Sequence, residues 1–362
     1  MFFSRILRLS ALVIGTFAAI ETCNAQDFES TIPVVDMNDF YKPETKQKFI
    51  DQMAKAMHEV GFFAVRNPHV NAQTLINAYD ASKEFFSKPI SLKQEIFDPS
   101  LNGQRGYVPG ETAQGFQQKD CKEFLHIGKK NNLWPSWMDL HNPLNKLLAA
   151  LDEHGYVLQK AMALAIGEEE DYFVRMTTSG ECLLRSLHYP AGPVPGTVWA
   201  AQHTDIDLFT ILPMATEEGL QVFHQGQWID VKVPEDAFIV NCGDKLQNLT
   251  NGYFKSSLHR VVAKPHTERY SIVYFIHPRD DDAMDPTKHC IDLTGGVCQY
   301  PKASSLELLA SRLRELGLAS PSLLELEKNS GILERIQELV EAGVAAEPVE
   351  KTYSIWKKNQ QE

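Results

Sequence analysis

From Cys182 to Ile276 the chain is written in short β-rich runs: LLRSLHY, HTDIDLFTILP, GLQVFHQGQWIDV, AFIVNC and RYSIVYFIHP, separated by Gly, Asn or Pro. Runs this short, rich in Val, Ile, Phe and Tyr, belong to a sandwich or barrel, because each buries only one or two faces and needs several neighbours. On either side the period is helical. Phe49, Ile50, Met53, Met57 and Val60 mark a helix over 44–60, and Leu75, Tyr79 and Phe86 mark one over 72–87. Leu144, Leu147, Leu148, Leu151, Leu158, Met162 and Ile166 form one stripe over 143–166, closed by Gly167, and a helix of that length suits a spine under a sheet. Beyond Pro301, Leu306, Leu309, Leu313 and Leu316 run to Gly317, and Ile332, Leu333, Ile336, Leu339 and Val340 run to Gly343. The last stretch, 343–362, has no clear period, which leaves Tyr353 and Trp356 between a lid and a docked or frayed tail. The fold class expected is mainly β with flanking α-helices, divided as 30–175, a β core over 176–283, and a C-terminal helical extension over 284–362.

Within the β-rich stretch lie His203-Thr204-Asp205, then His259, then Arg269-Tyr270-Ser271. In extended chain, residues at i and i+2 point the same way, so His203 and Asp205 can hold one ion while His259 arrives from another strand. Two imidazoles and one carboxylate leave coordination positions open, the arrangement that non-haem Fe(II) needs to hold a cosubstrate and O₂ together. A His-x-Asp triplet alone carries little weight. Its surroundings carry more.

LLRSLHYPAG, with Arg185, Tyr189 and Pro190, precedes the triplet; IPVVDM and GFFAVRNPHV lie near the N-terminus, with GYVPGE and KDCKEFLHIG between. In this order the motifs resemble the isopenicillin-N-synthase-like family of Fe(II)- and 2-oxoglutarate-dependent oxygenases, from Ile32 to Pro278. The resemblance implies a double-stranded β-helix (jelly roll) core with N-terminal and C-terminal helical additions. It also implies Fe(II) on His203, Asp205 and His259, with 2-oxoglutarate as cosubstrate. Arg269 would bind the remote carboxylate of the cosubstrate, Ser271 would add a hydroxyl, and Tyr189 a phenolic hydrogen bond. The implied reaction is hydroxylation or desaturation of a small organic molecule with O₂, releasing succinate and CO₂. Two alternatives stay open: an isopenicillin-N-synthase-like iron oxidase not using 2-oxoglutarate, and a non-catalytic metal-binding jelly roll. Asn67-Pro68-His69 stands where many relatives have Asn-His-Gly, and Leu187 where plant members commonly have Asn. His188, His224, His266, His277 and His289 are read as hydrogen-bonded core or surface residues, Lys122 and Glu123 as a structural ion pair, and 241–244 as a structural turn. Tyr107, Phe116, Phe124 and Phe209 are candidates for an apolar pocket or for the core.

A formal net charge of −12 argues against a nucleic-acid partner, because phosphate contact needs a basic surface. The acidic runs Glu168-Glu169-Glu170-Asp171 and Asp280-Asp281-Asp282 read as solvated loop ends. The N-terminus differs in character. Arg5 and Arg8 precede an apolar run from Leu9 to Ile20 that ends near Cys23-Asn24-Ala25, the arrangement of a signal peptide over 1–25. That run is too short for a comfortable membrane span, so no stable span is expected once the leader is removed. Export to a periplasmic or secretory compartment is the expectation; a cytoplasmic enzyme, where iron and 2-oxoglutarate are plentiful, is the alternative. Of the 6 cysteines, Cys242 reads as a small buried residue, and Cys290 and Cys298, flanking IDLTGGV, are the pair nominated for a disulfide.

Overall fold

The structure is a computed structural model that describes residues 30–101, 103–110, 120–191, 198–264, 266–315, 317 and 319–359. The leader expected over 1–25 and the pocket candidate Phe116 lie outside these residues. Twelve strands are described: β1 Val34–Asp36, β2 Phe62–Arg66, β3 Gly106–Val108, β4 Glu123–Gly128, β5 Leu183–Tyr189, β6 Val198–His203, β7 Phe209–Leu212, β8 Leu220–His224, β9 Gln227–Asp230, β10 Phe238–Cys242, β11 His259–Val262 and β12 Arg269–Ile276. Among the described residues they form an eight-stranded sheet, ordered β1-β2-β10-β7-β12-β5-β4-β3, and a four-stranded sheet, ordered β6-β11-β8-β9. Only β1 and β2 pair in parallel; the rest is antiparallel. This is the jelly roll. The division expected at 176 therefore runs through the large sheet, because β1 to β4 all belong to it.

Alternation along β12 shows how the sheet sorts its residues. Tyr270, Ile272, Tyr274 and Ile276 enter the main core under the helices, while Arg269, Ser271, Val273 and Phe275 line a cleft on the other face. Helices α1 (Pro43–Glu59), α2 (Ala72–Phe86) and α3 (His141–Ala165) cover the first face. Pro43 stands in the first turn of α1, and Asn71 caps α2 by accepting from the amides of Gln73 and Thr74. The apolar stripe of α3 is buried as its spacing predicts. Gly155 on α3 permits a close approach to β12: a Cβ there would lie 2.8 Å from Ile276 Cδ1. The long helix is indeed the spine of the sheet. Between the two sheets Phe62, Leu187, Trp199, Val222, Ile239 and Val261 form a second core.

After the short α4 (Asp244–Leu249) and a second short helix, Lys288–Leu293, the described residues continue with α5 (Ser305–Glu315), α6 (Pro321–Ser330), α7 (Ile332–Glu341) and α8 (Glu347–Asn359). Ile332, Leu333, Ile336, Val349 and Tyr353 close around Tyr300 as a third core. The stretch without a clear period is thus helix α8, with Tyr353 buried and Trp356 packed 5.5 Å from it, ring to ring. Neither residue lines the cleft, and their packing is that of a docked tail. Helix α6 had no apolar stripe to announce it; its one buried residue is Glu327.

The disulfide nominated between Cys290 and Cys298 is not formed, and both thiols are free. Cys290 turns into the main core from the short helix Lys288–Leu293, whereas Cys298 Sγ lies 3.3 Å from the carbonyl of Tyr300. Among the described residues no helix is long and apolar enough to cross a membrane.

Candidate metal and cosubstrate site

β6 ends at His203 and β11 begins at His259, and the antiparallel register sets these two residues directly opposite each other. Their rings lie 4.3 Å apart, centroid to centroid. Asp205 follows two residues after the end of β6 and places Oδ1 3.7 Å from Nε2 of each histidine. One donor atom from each residue lies within 4.8 Å of the others, and among the described residues this is the group of His, Cys, Asp and Glu that could hold a metal.

The hydrogen bonds around the trio settle which atoms are free to coordinate. His203 Nδ1 is 2.7 Å from the Ala201 carbonyl and His259 Nδ1 is 3.3 Å from that of Ser257. A carbonyl only accepts, so each Nδ1 carries the proton and each Nε2 offers a lone pair toward Asp205. Burial of the site, more than its neighbour His259, pushes the His203 imidazole down to about 3. Although 37% of its side chain is open, His203 is therefore a neutral donor at neutral pH. Asp205 Oδ2 accepts from Thr210 Oγ1 at 2.6 Å and Asn241 Nδ2 at 2.8 Å, which leaves Oδ1 to face the histidines. Burial opposes ionisation of Asp205, but the two histidines and these hydrogen bonds outweigh it, and the carboxyl sits below its usual range. Two imidazoles that each turn Nε2 toward a carboxylate with its Oδ1 free fit a divalent cation.

Asp207 behaves in the opposite way. It is fully buried, and burial together with the nearby Asp205 charge raises it well above the ordinary carboxyl value. Its Oδ2 lies 3.0 Å from Thr210 Oγ1. Thr210 has one hydroxyl proton, and a protonated Asp207 can donate to Thr210 while Thr210 donates to Asp205.

Farther along the cleft, Arg269 on β12 is paired in register with Tyr189 on β5. Its Nε donates to the Glu217 carbonyl at 2.9 Å, its Nη1 to Ser271 Oγ at 3.1 Å, and its guanidinium stands 5.0 Å from the centre of the Tyr189 ring. Arg269 is only 2% exposed, and among the described residues no carboxylate reaches it within 4.0 Å. A buried cation without a counter-charge is costly unless an anion arrives. The apolar lining is Phe62, Leu187, Leu212, Val261, Val273 and Phe275.

All six residues singled out from the sequence, His203, Asp205, His259, Arg269, Ser271 and Tyr189, line this one cleft. Tyr107 and Phe209 lie in the main core and Phe124 in the core between the sheets, so these aromatics are packing residues. Lys122 and Glu123 do not pair with each other: Lys122 bonds Asp120 at 2.8 Å, and Glu123 bonds Lys93 at 2.6 Å. Glu123 opens β4, whereas Lys122 lies just before the strand and lines the cleft. His188 bridges Glu123 and Glu268, both at 2.7 Å, as a structural residue. Asn241, read only as part of a turn, holds Asp205; its signal was a polar residue inside the apolar run FIVNC.

A jelly roll with a two-histidine, one-carboxylate cluster at a cleft that also holds a buried arginine defines a non-haem iron oxygenase. Comparison with known proteins names the family. The model of the 2OG-Fe(II) oxygenase superfamily matches residues 180–278, and that of the N-terminal region of non-haem dioxygenases in morphine synthesis matches 32–148. A 2-oxoglutarate-dependent dioxygenase of Penicillium crustosum is 30% identical over 296 residues, covering 74% of this chain and 90% of the relative. A 2OG-Fe(II) oxygenase family protein from Caulobacter crescentus superposes with a TM-score of 0.72 at 30% identity, over 79% of this chain and 99% of that one. A full-length Neurospora crassa protein, solved in complex with alpha-KG, superposes with a TM-score of 0.71 at 27% identity, over 78% and 96%. The chain belongs to the 2OG-Fe(II) oxygenase superfamily. It is a non-haem iron dioxygenase whose cofactor is Fe(II) and whose cosubstrates are 2-oxoglutarate and O₂.

Proposed function

We propose that His203, Asp205 and His259 hold the iron, that Arg269 with Ser271 binds the remote carboxylate of 2-oxoglutarate, and that a small organic molecule is hydroxylated or desaturated beside them. The buried guanidinium of Arg269, which no carboxylate among the described residues pairs, in the same cleft as the metal cluster, carries this reading. With Fe(II), 2-oxoglutarate and O₂ bound, the site supplies oxidative decarboxylation to succinate and CO₂ coupled to attack on a substrate C–H bond. The residues of the chain bind and orient. The Ala201 and Ser257 carbonyls fix the two imidazoles, and Thr210 and Asn241 keep Asp205 ionised and aimed. Tyr189 supports the guanidinium with its ring face, and the apolar walls exclude water. The Neurospora crassa structure with alpha-KG supports the cosubstrate assignment by kinship.

Anaerobic absorption spectroscopy tests it. A visible charge-transfer band is expected only when Fe(II) and 2-oxoglutarate are both present. Arg269→Ala is expected to raise the 2-oxoglutarate concentration needed for that band by about 30-fold or more, the cost of leaving one partner of a buried charge pair alone. Iron binding without the band would move the chain toward the oxidase reading, and an unchanged requirement in the variant would remove Arg269 from the cosubstrate site. We also propose that residues 1–25 are an export leader; recovery of an exported chain with its first residues intact would overturn cleavage.

A further inference from the structure

We infer that Arg312, from helix α5 of the C-terminal extension, is a positioning residue for the loop that carries the metal ligands. The inference rests on the reading of His203, Asp205 and His259 as those ligands. Helix α5 lies beyond both stretches matched by the family models, yet its arginine reaches the loop between His203 and Asp205. Arg312 Nη2 donates to Thr204 Oγ1 at 3.0 Å, and Thr204 stands between His203 and Asp205. Thr204 Oγ1 in turn donates to Asp244 Oδ2 at 3.1 Å, and Arg312 Nε lies 3.6 Å from the same oxygen. Asp244 completes the circuit through its backbone, because its amide donates to the carbonyl of Asp205 at 2.8 Å. One guanidinium therefore fixes both the side chain between two ligands and the residue whose amide holds the backbone of Asp205.

The contact reaches farther into the extension. Arg312 Nη1 donates to Glu315 Oε2 at 2.8 Å, and Thr352 of α8 donates to the other oxygen of that carboxylate. A polar chain thus runs from the last helix to the ligand loop. The loop needs such a fixture, since regular strand pairing stops at His203 and neither Thr204 nor Asp205 belongs to a strand. Asp244 needs it too. Burial raises its carboxyl above the usual range, against the lowering effect of Arg312. A planar fork can satisfy Thr204, Asp244 and Glu315 together; a lysine ammonium can supply the charge but not that geometry.

Arg312 could in principle serve only to fasten the extension, and the two roles separate experimentally. The full chain, with Arg312→Met, Arg312→Lys and Thr204→Val, is titrated with Co(II) and followed by its visible absorption, and the metal-free melting temperature is measured alongside. Loss of a hydrogen-bonding partner that orients a ligand weakens metal binding by about 10- to 100-fold. Arg312→Met is expected to show a loss in that range. Arg312→Lys is expected to regain most of the metal-free melting temperature while Co(II) binding stays about tenfold weak. Thr204→Val, which leaves the buried charges paired, is expected to weaken Co(II) binding with little change in melting temperature, and it carries the test if Arg312→Met does not fold. Wild-type Co(II) affinity and spectrum in Arg312→Lys and Thr204→Val would reduce Arg312 to a fastening contact. Failure of the wild-type chain to bind Co(II) would overturn the ligand reading itself.

Discussion

Asp205 and Asp207 are two residues apart and share Thr210, yet their carboxyls move in opposite directions, Asp205 below the ordinary range and Asp207 well above it. Keeping one carboxyl ionised and its neighbour neutral is how a buried pair avoids like-charge repulsion. Thr210→Val keeps the shape and removes the hydroxyl that joins them. Asp205 would then keep only Asn241 on Oδ2, and protonated Asp207 would lose its acceptor. Metal affinity in anaerobic Fe(II) titration is expected to fall about tenfold or more. An affinity equal to wild type would show that Asn241 alone orients Asp205. At this scale the sequence was uneven. His203, Asp205, His259 and Arg269 stood out because residue type and order combine. Thr210, Asn241, Asp207 and Arg312 did not, because a polar residue within an apolar run or an arginine on a helix face looks the same whether it serves a site or merely satisfies itself.

Strand β4 shows what alternation makes of one short run. Phe124 packs between the sheets, Leu125 and Ile127 enter the main core, and Glu123 meets Lys93, His188 and Tyr107. Burial opposes the charge on Glu123, yet hydrogen bonds from His188, Lys93 and Tyr107 bring its carboxyl down to about 2 from 4.5. A carboxyl lowered by folding stabilises the folded state above its unfolded value, and that stability disappears as pH falls from about 4.5 to about 2. The stabilisation is worth about 2 kcal/mol once partial solvent screening is allowed for. Glu123→Gln is therefore expected to be less stable in urea at pH 7 by about that amount, with the gap closing toward acid pH. A gap that persists undiminished below the folded value would mean that packing, not charge, is what the variant loses. The long amphipathic helices and the β-rich core were legible at the element scale, since their periods are set by burial on one face. Helices α6 and α8 were not. The first buries a glutamate, and the second packs on a small local core whose contributors are spread from Tyr300 to Val349.

Across the whole molecule, apolar cores form each body, and they are joined both by Leu308, which packs on the main core and on the third core, and by polar side chains. The sequence pattern showed where the β-rich core and the helical extension lie, because each carries its own hydrophobic period, but the hydrogen bonds that cross the junction have no period to read. Lys245 on α4 donates to Ser305 at the start of α5 at 2.7 Å, and Asn248 Nδ2 donates to the carbonyls of Met284 at 2.7 Å and Pro301 at 3.0 Å. Asn248 is 3% exposed, so these two carbonyls have little access to replacement water. Asn248→Leu fills nearly the same space and strands both acceptors, a change expected to cost about 2–3 kcal/mol. The cost should appear as an earlier urea midpoint by circular dichroism. Because α4 begins at Asp244, the same variant should weaken metal binding through the Arg312 circuit, and both effects should come together. A stability loss with wild-type metal affinity would mean that the extension can loosen at Asn248 without disturbing Thr204 and Asp205, and that the Arg312 and Lys245 contacts keep the site in place without it.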